Sequence, residues 1–156
     1  MLFRSKAQPG KDSDVWVDRL LDAGDAALPE VRRSLDAIQA APAGENAVVD
    51  LLLGFGLKSY DDLLARLPRL SEASLRRVAT QLLGGHYPKD DRQLRAIAWM
   101  SAQQDEALLL QVLPELLARS PDVGIARAQV LLADRRPNLR GFAADVIVAA
   151  RSEEHT

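Results

Sequence analysis

LPRLSEASLRRVATQLL, residues 67–83, is the stretch that most directly indicates how this chain folds. Its second part carries apolar residues at spacings of three and four, which fall on one face of an α-helix: Leu75, Val78, Ala79 and Leu82. Ser71 precedes this stripe in the position of an N-cap, and Gly84-Gly85 follows it as a left-handed stop. The segment therefore predicts a helix that begins after Ser71 and ends at the two glycines.

The same apolar spacing, interrupted by short turns, continues through the rest of the chain. No stretch alternates apolar and polar residues long enough to predict a strand. Each predicted helix carries one broad apolar face, and we expect neighbouring helices to cover these faces. The sequence thus predicts an all-α fold of about nine helices, the others being at 14–23, 26–40, 46–53, 59–70, 90–102, 106–119, from 120 onward and from 136 onward.

Local signals mark where several of these helices begin. Ser59 with Asp62, and Asp90 with Gln93, have the spacing of capping boxes. Proline stands at a predicted first helical position in two places, where its missing N–H costs no hydrogen bond: Ser120-Pro121 and Arg136-Pro137.

Composition excludes several classes of function. The sequence contains no cysteine, so a disulfide framework, a thiolate zinc site and a cysteine nucleophile are all excluded. Its net charge of −2 lacks the basic excess typical of a general polyanion binder. No run of apolar residues is long enough to predict a membrane span. These properties favour a cytoplasmic setting.

The two ends of the chain share an unusual relation. Residues 151–155, RSEEH, are encoded by AGATCGGAAGAGCAC in one choice of codons, and the reverse complement of that string encodes MLFRS, residues 1–5, when GTG is the start codon. The string is similar to a common sequencing adapter. We therefore interpret residues 1–13 as an adapter-like scar with a flexible lead-in, 14–150 as a helical repeat domain from a longer protein, and 151–156 as a second scar.

Two short patterns recur along the chain. Leu-Pro appears in LPEV at 28, LPRL at 67 and LPEL at 113. A second pattern, an aliphatic residue followed by arginine, appears in VRRSL at 31, LRRVA at 75, LRAIA at 94 and LRGFA at 139. Internal repeats with periods of 20 to 50 residues are typical of helical arrays.

With these patterns the chain resembles the HEAT and armadillo class of helical repeats, most clearly in residues 67–83 and 112–132. The resemblance implies an α-α superhelix, a right-handed solenoid, in which proline bends a first helix and the arginine reaches an acidic group of the neighbouring repeat. An irregular globular helical bundle is the alternative that the degenerate spacing leaves open.

Few residues of the chain suggest chemistry. The loop GGHYPKDD, 84–91, contains His86 and Tyr87, but a lone histidine without a nucleophile or second ligand defines no reaction, so we interpret both as ordinary loop residues. The glycines of GFG, 54–56, are interpreted as a helix terminator. Acidic pairs in first helical turns complement the helix dipole and are not predicted to bind metal: Asp61-Asp62 and Asp90-Asp91.

Arginine pairs raise the question of nucleic-acid binding, because helical glycosylases that repair alkylated DNA are built on HEAT-like arrays. The pairs are Arg32-Arg33, Arg76-Arg77 and Arg135-Arg136. Such an enzyme also needs aromatic rings around an extruded base. The rings are scattered, and Trp99 is expected to be buried by packing: Trp16, Phe55, Tyr60, Tyr87, Trp99 and Phe142.

The leading expectation is a noncatalytic protein-protein interaction scaffold segment of HEAT-repeat type, which binds another protein. Two alternatives remain: a helical accessory or regulatory region of a larger enzyme, and a DNA-binding or alkylated-base repair domain. No catalytic residue, metal ligand or cofactor is predicted within the chain, and no membrane or nucleic-acid partner is expected.

Overall fold

A computed structural model describes residues 13–154 of the chain. That range contains nine α-helices and three 3₁₀ turns, with no strand, which confirms the all-α prediction. The turns are Gly24–Ala26, Gly56–Ser59 and Leu67–Arg69. The helices are α1 Ser13–Ala23, α2 Leu28–Ala40, α3 Gly44–Phe55, α4 Tyr60–Arg66, α5 Glu72–Leu83, α6 Asp91–Ser101, α7 Glu106–Arg119, α8 Pro121–Leu131 and α9 Pro137–Glu154.

The described residues divide into two compact units, 13–74 and 75–154. In the first unit α3 is the central helix, because it packs against α1, α2 and α4. Its residues 47–49, 51 and 52 are buried, as a helix with neighbours on several sides requires. The predicted stripe of α2 is buried as expected: Leu28, Val31, Leu35 and Ile38.

In the second unit α7 is the central helix and packs against α6, α8 and α9. Its fully buried residues are Leu108, Leu109, Val112, Leu113 and Leu116. A hydrogen bond of 2.6 Å from Gln111 Nε2 to Thr80 Oγ1 also joins α7 to α5. The stripe predicted for α5 is buried throughout, since Leu75, Val78, Ala79 and Leu82 are each no more than 4% exposed.

Helix starts and stops agree with the sequence in part. The Ser74 N–H donates to Ser71 Oγ at 3.4 Å, and the Gln93 N–H donates to Asp90 Oδ1 at 3.1 Å, so both predicted N-caps are confirmed. Gly85 has a φ of +92°, which confirms the left-handed stop after α5. Pro121 and Pro137 are the first residues of α8 and α9, as predicted.

The predicted capping role of Ser59 is wrong. Ser59 does precede α4, but its hydroxyl is fully buried and donates backward to the carbonyl oxygen of Leu52 at 2.5 Å. A buried serine hydroxyl needs a hydrogen-bond acceptor within reach, and it can donate to a nearby backbone carbonyl instead of capping a helix. Here the acceptor is a carbonyl near the end of α3.

The three Leu-Pro segments occupy three different local structures. Pro29 lies in the first turn of α2, Pro68 lies in a 3₁₀ turn, and Pro114 lies inside α7. Proline is compatible with each setting, but only Pro114 removes an interior hydrogen bond of an α-helix. The shared dipeptide therefore does not mark one equivalent position.

The arginine pattern is more consistent. Its first and fifth residues are buried in VRRSL, LRRVA and LRGFA, whereas LRAIA buries Ala96 and Ile97 instead. The arginines of the first two segments lie near aspartates farther along the chain: Arg32 Nε is 2.8 Å from Asp62 Oδ2 in α4, and Arg76 Nε is 3.6 Å from Oδ2 of Asp105, the N-cap of α7.

The boundaries predicted for the ends differ slightly from the helices. Helix α1 begins at Ser13, the last residue of the predicted lead-in, and α9 continues through Glu154, four residues past the predicted end of the helical domain. Residues 1–12, which include the first predicted scar, and residues 155–156 lie outside the described residues.

Candidate protein-interaction surface

Helix α8 carries an exposed apolar stripe made of Val123, Ala126 and Val130. The spacings of three and four residues place the three side chains on one face of the helix. Val123 is 48% exposed and Val130 is 62% exposed, and Ala126 is exposed as well. The expectation of one apolar face for each helix is therefore wrong for α8, because this second set of apolar residues is exposed.

The opposite face of α8 packs closely against α7. Gly124, Ala128 and Leu131 are buried there. A Cβ atom added to Gly124 would lie 2.6 Å from the Cα of Leu117 and 2.9 Å from its backbone nitrogen, so the two helix backbones touch at this point. Glycine is required at such a contact because any side chain would separate the helices.

Arg127 carries the only charge of α8 beyond its first turn, and its hydrogen bonds lie at the end of α6. Its Nε donates to the carbonyl oxygen of Ser101 at 2.5 Å, and its Nη2 donates to the carbonyl oxygen of Gln103 at 3.1 Å. Carbonyl groups at the end of a helix lack intrahelical partners, so the guanidinium both caps α6 and fixes α8. The stripe itself remains uncharged.

An ion pair closes the turn that follows α8. Arg136 donates to Asp134 from Nε at 2.9 Å and from Nη2 at 3.1 Å, and its Nη1 donates to the carbonyl oxygen of Gln104 at 2.5 Å. The hydrogen bond from the Arg136 guanidinium is the main cause that lowers the pKa of Asp134 from its ordinary 3.8 to about 2. The turn is thereby tied to the segment before α7.

This ion pair predicts how the chain responds to acid. A carboxyl whose pKa is lowered by folding stabilises the folded state fully above its ordinary pKa, and that contribution is lost as the pH falls from about 4 towards 2. Asp134→Asn keeps an oxygen that accepts from the Arg136 N–H but does not titrate. Urea midpoints at pH 7, 4, 3 and 2 should fall less steeply below pH 4 for the variant than for the native chain. Equal slopes would show that the pair does not form in solution.

The loop at 84–91 is a structural joint between α5 and α6. His86 is exposed, Lys89 lies 3.5 Å from Glu115, and Asp90 caps α6. Tyr87 lies in this loop, but it is only 7% exposed, and burial raises its pKa. Its ring belongs to the core because the glycines turn the chain back towards the helices.

The remaining candidates for chemistry have structural roles. Gly54 and Phe55 lie within α3, and Gly56, with a φ of +63°, ends the helix. Asp62 accepts from Arg32. Within residues 13–154, no group of three or more histidine, aspartate or glutamate side chains is arranged to hold a metal ion.

Most of the predicted arginine pairs are engaged by other groups of the chain. Arg32 also donates to the carbonyl oxygen of Lys58 at 2.8 Å, and Arg33 lies 2.6 Å from Glu30. Arg76 contacts Asp105, and Arg136 contacts Asp134 as described above. The positive charge of these arginines is therefore already compensated by carboxylates and carbonyl oxygens of the chain, whereas binding to a nucleic-acid phosphate backbone would need that charge to face the phosphates.

The aromatic residue Trp99 was expected to be buried by packing. Its side chain is half-buried in the structure.

A buried glutamine that the sequence suggested only as part of a capping box connects three helices. Gln93 is 1% exposed; its Nε2 donates to the carbonyl oxygen of Leu82 at 2.8 Å, and its Oε1 accepts from Arg119 Nη1 at 2.5 Å. Arg119 Nη2 also donates to the carbonyl oxygen of Asp90 at 3.0 Å. The side chain thus joins α5, α6 and α7 rather than completing the box.

Comparison with known proteins gives no further assignment. No family model, curated protein or solved structure matches the chain. In the part of the chain that the structure describes, no helix combines the length and the apolar character needed to cross a membrane. The function therefore has to be inferred from the residues of the chain itself.

Proposed function

We propose that this chain is a noncatalytic protein-interaction segment, and that another protein binds the stripe of Val123, Ala126 and Val130. The single observation that carries the proposal is the exposure of this stripe on an uncharged face of α8. Apolar surface gains about 25 cal/mol per Å² when a partner removes it from water. A row of apolar side chains along one helix suits a partner that lays an apolar helix or loop against it.

The proposal includes a HEAT-like arrangement of the helices in each unit. In the second unit α7 packs against α9 and is hydrogen-bonded to α5, while Arg127 ties α8 to the end of α6. We infer two layers there, α5 with α7 and α9, and α6 with α8. Each helix then contacts helices one or two places away along the chain, as in helical repeats.

Polar contacts between helices support this sequential order. Most of them join residues 24 to 33 positions apart, which is about the length of two helices with their connections, whereas the bond from Gln93 to Leu82 spans 11 positions. In the first unit Gln39 Nε2 donates to the carbonyl oxygen of Arg69 at 2.7 Å, and Lys58 Nζ donates to Asp25 at 2.5 Å. Contacts of this range suit a structure that grows by adding one helix after another.

The two alternatives have less support. The engagement of the arginines by carboxylates and carbonyl oxygens opposes nucleic-acid binding. An accessory role in a larger enzyme predicts no particular structural feature of this helical region. In that case the exposed stripe on α8 would serve as the surface on which another part of the enzyme docks. A cytoplasmic setting, which the cysteine-free sequence suits, remains part of the proposal.

Binding is tested by making the stripe polar. Val123→Gln with Val130→Gln should reduce retention of a specific partner about tenfold, because the apolar burial that drives docking is lost and each 1.4 kcal/mol corresponds to a factor of ten. The immobilised native chain and variant are exposed to lysate from cells that naturally express the chain, and the retained proteins are quantified by mass spectrometry. Glutamine favours helix more than valine does, so α8 should persist.

Leu57→Gln is the matched control for this experiment. Leu57 is 61% exposed, close to the 62% of Val130, but it lies in the 3₁₀ turn after α3. A partner of the stripe is retained by the native chain and by the Leu57 variant and is lost from the double variant. If every retained protein binds both variants equally, the stripe is not a binding surface and the proposal is wrong.

A further inference from the structure

We draw no further inference here: the strongest candidate, the uncharged apolar stripe of Val123, Ala126 and Val130 on the exposed face of α8, belongs to the site already described, and nothing in the structure shows what covers it.

Discussion

Replacing Gly124 with alanine should destabilise the chain by about 2–3 kcal/mol, although alanine usually favours a helix over glycine. The added Cβ would lie 2.6 Å from the Cα of Leu117, and backbone atoms cannot move aside as the end of a flexible side chain can. Helices α7 and α8 would have to separate, which would also weaken the packing of Ala128 and Leu131. Urea unfolding followed by circular dichroism measures the effect.

Gly141→Ala is the matched control, since Gly141 also lies inside a helix but nothing stands within 4 Å of its added Cβ. There the change should stabilise the chain by about 0.5–1 kcal/mol through helix propensity alone. Opposite signs for the two variants would establish the close approach of α7 and α8. A stabilised Gly124→Ala variant would show that the two backbones are not in contact.

Gln93→Leu should destabilise the chain by about 2–3 kcal/mol. Leucine fits a similar volume, but it leaves the carbonyl oxygen of Leu82 without its 2.8 Å donor and Arg119 without its 2.5 Å acceptor. An unsatisfied polar group in a buried position costs about 1–3 kcal/mol, and more when the group is charged. The free energy of unfolding in urea is again the measurement.

Gln129→Leu provides the comparison for this second prediction. Gln129 is an exposed residue of α8, so its replacement should change the free energy of unfolding by less than about 0.5 kcal/mol. A similarly small effect at Gln93 would mean that water or another side chain replaces both of its hydrogen bonds, and that the glutamine does not join the three helices.

The sequence predicted the elements whose determinants are local. The stripe of α5 and the caps at Ser71 and Asp90 follow from residues three or four positions apart, so periodicity alone locates them. Periodicity could not predict the hydrogen bond of the Ser59 hydroxyl, because its acceptor, the carbonyl of Leu52, lies seven residues earlier and is brought close by the intervening turn.

The residues that matter most for packing depend on distant neighbours. Gln93 is buried because Leu82 and Arg119 surround it, and Gly124 is required because Leu117 lies against it; neither relation appears as a motif. The exposed stripe of α8 did leave a signal. Apolar residues on two faces of an eleven-residue helix exceed what one buried face accommodates, and this excess distinguishes an exposed apolar surface from ordinary core packing.

The repeated dipeptides were a weaker guide than the helix periodicity. Leucine is common in this chain, so Leu-Pro recurs at a helix start, in a 3₁₀ turn and inside a helix without defining one register. The arginine pattern is more informative, since Arg32 and Arg76 both reach aspartates about thirty residues farther along. The similar sequence separation of these two contacts supports the sequential arrangement that we propose more strongly than the shared dipeptide does.

Thiol crosslinking within the second unit tests that sequential arrangement most directly. The chain has no cysteine, so pairs can be introduced without background. Thr80→Cys with Gln111→Cys should crosslink readily through a short thiol-to-thiol reagent, because these side chains are hydrogen-bonded between α5 and α7. Thr80→Cys with Ala144→Cys should not crosslink, because α7 would separate α5 from α9 by roughly 20 Å, twice the usual distance between packed helices. Efficient crosslinking of the second pair would show a closed bundle and contradict the stacked array.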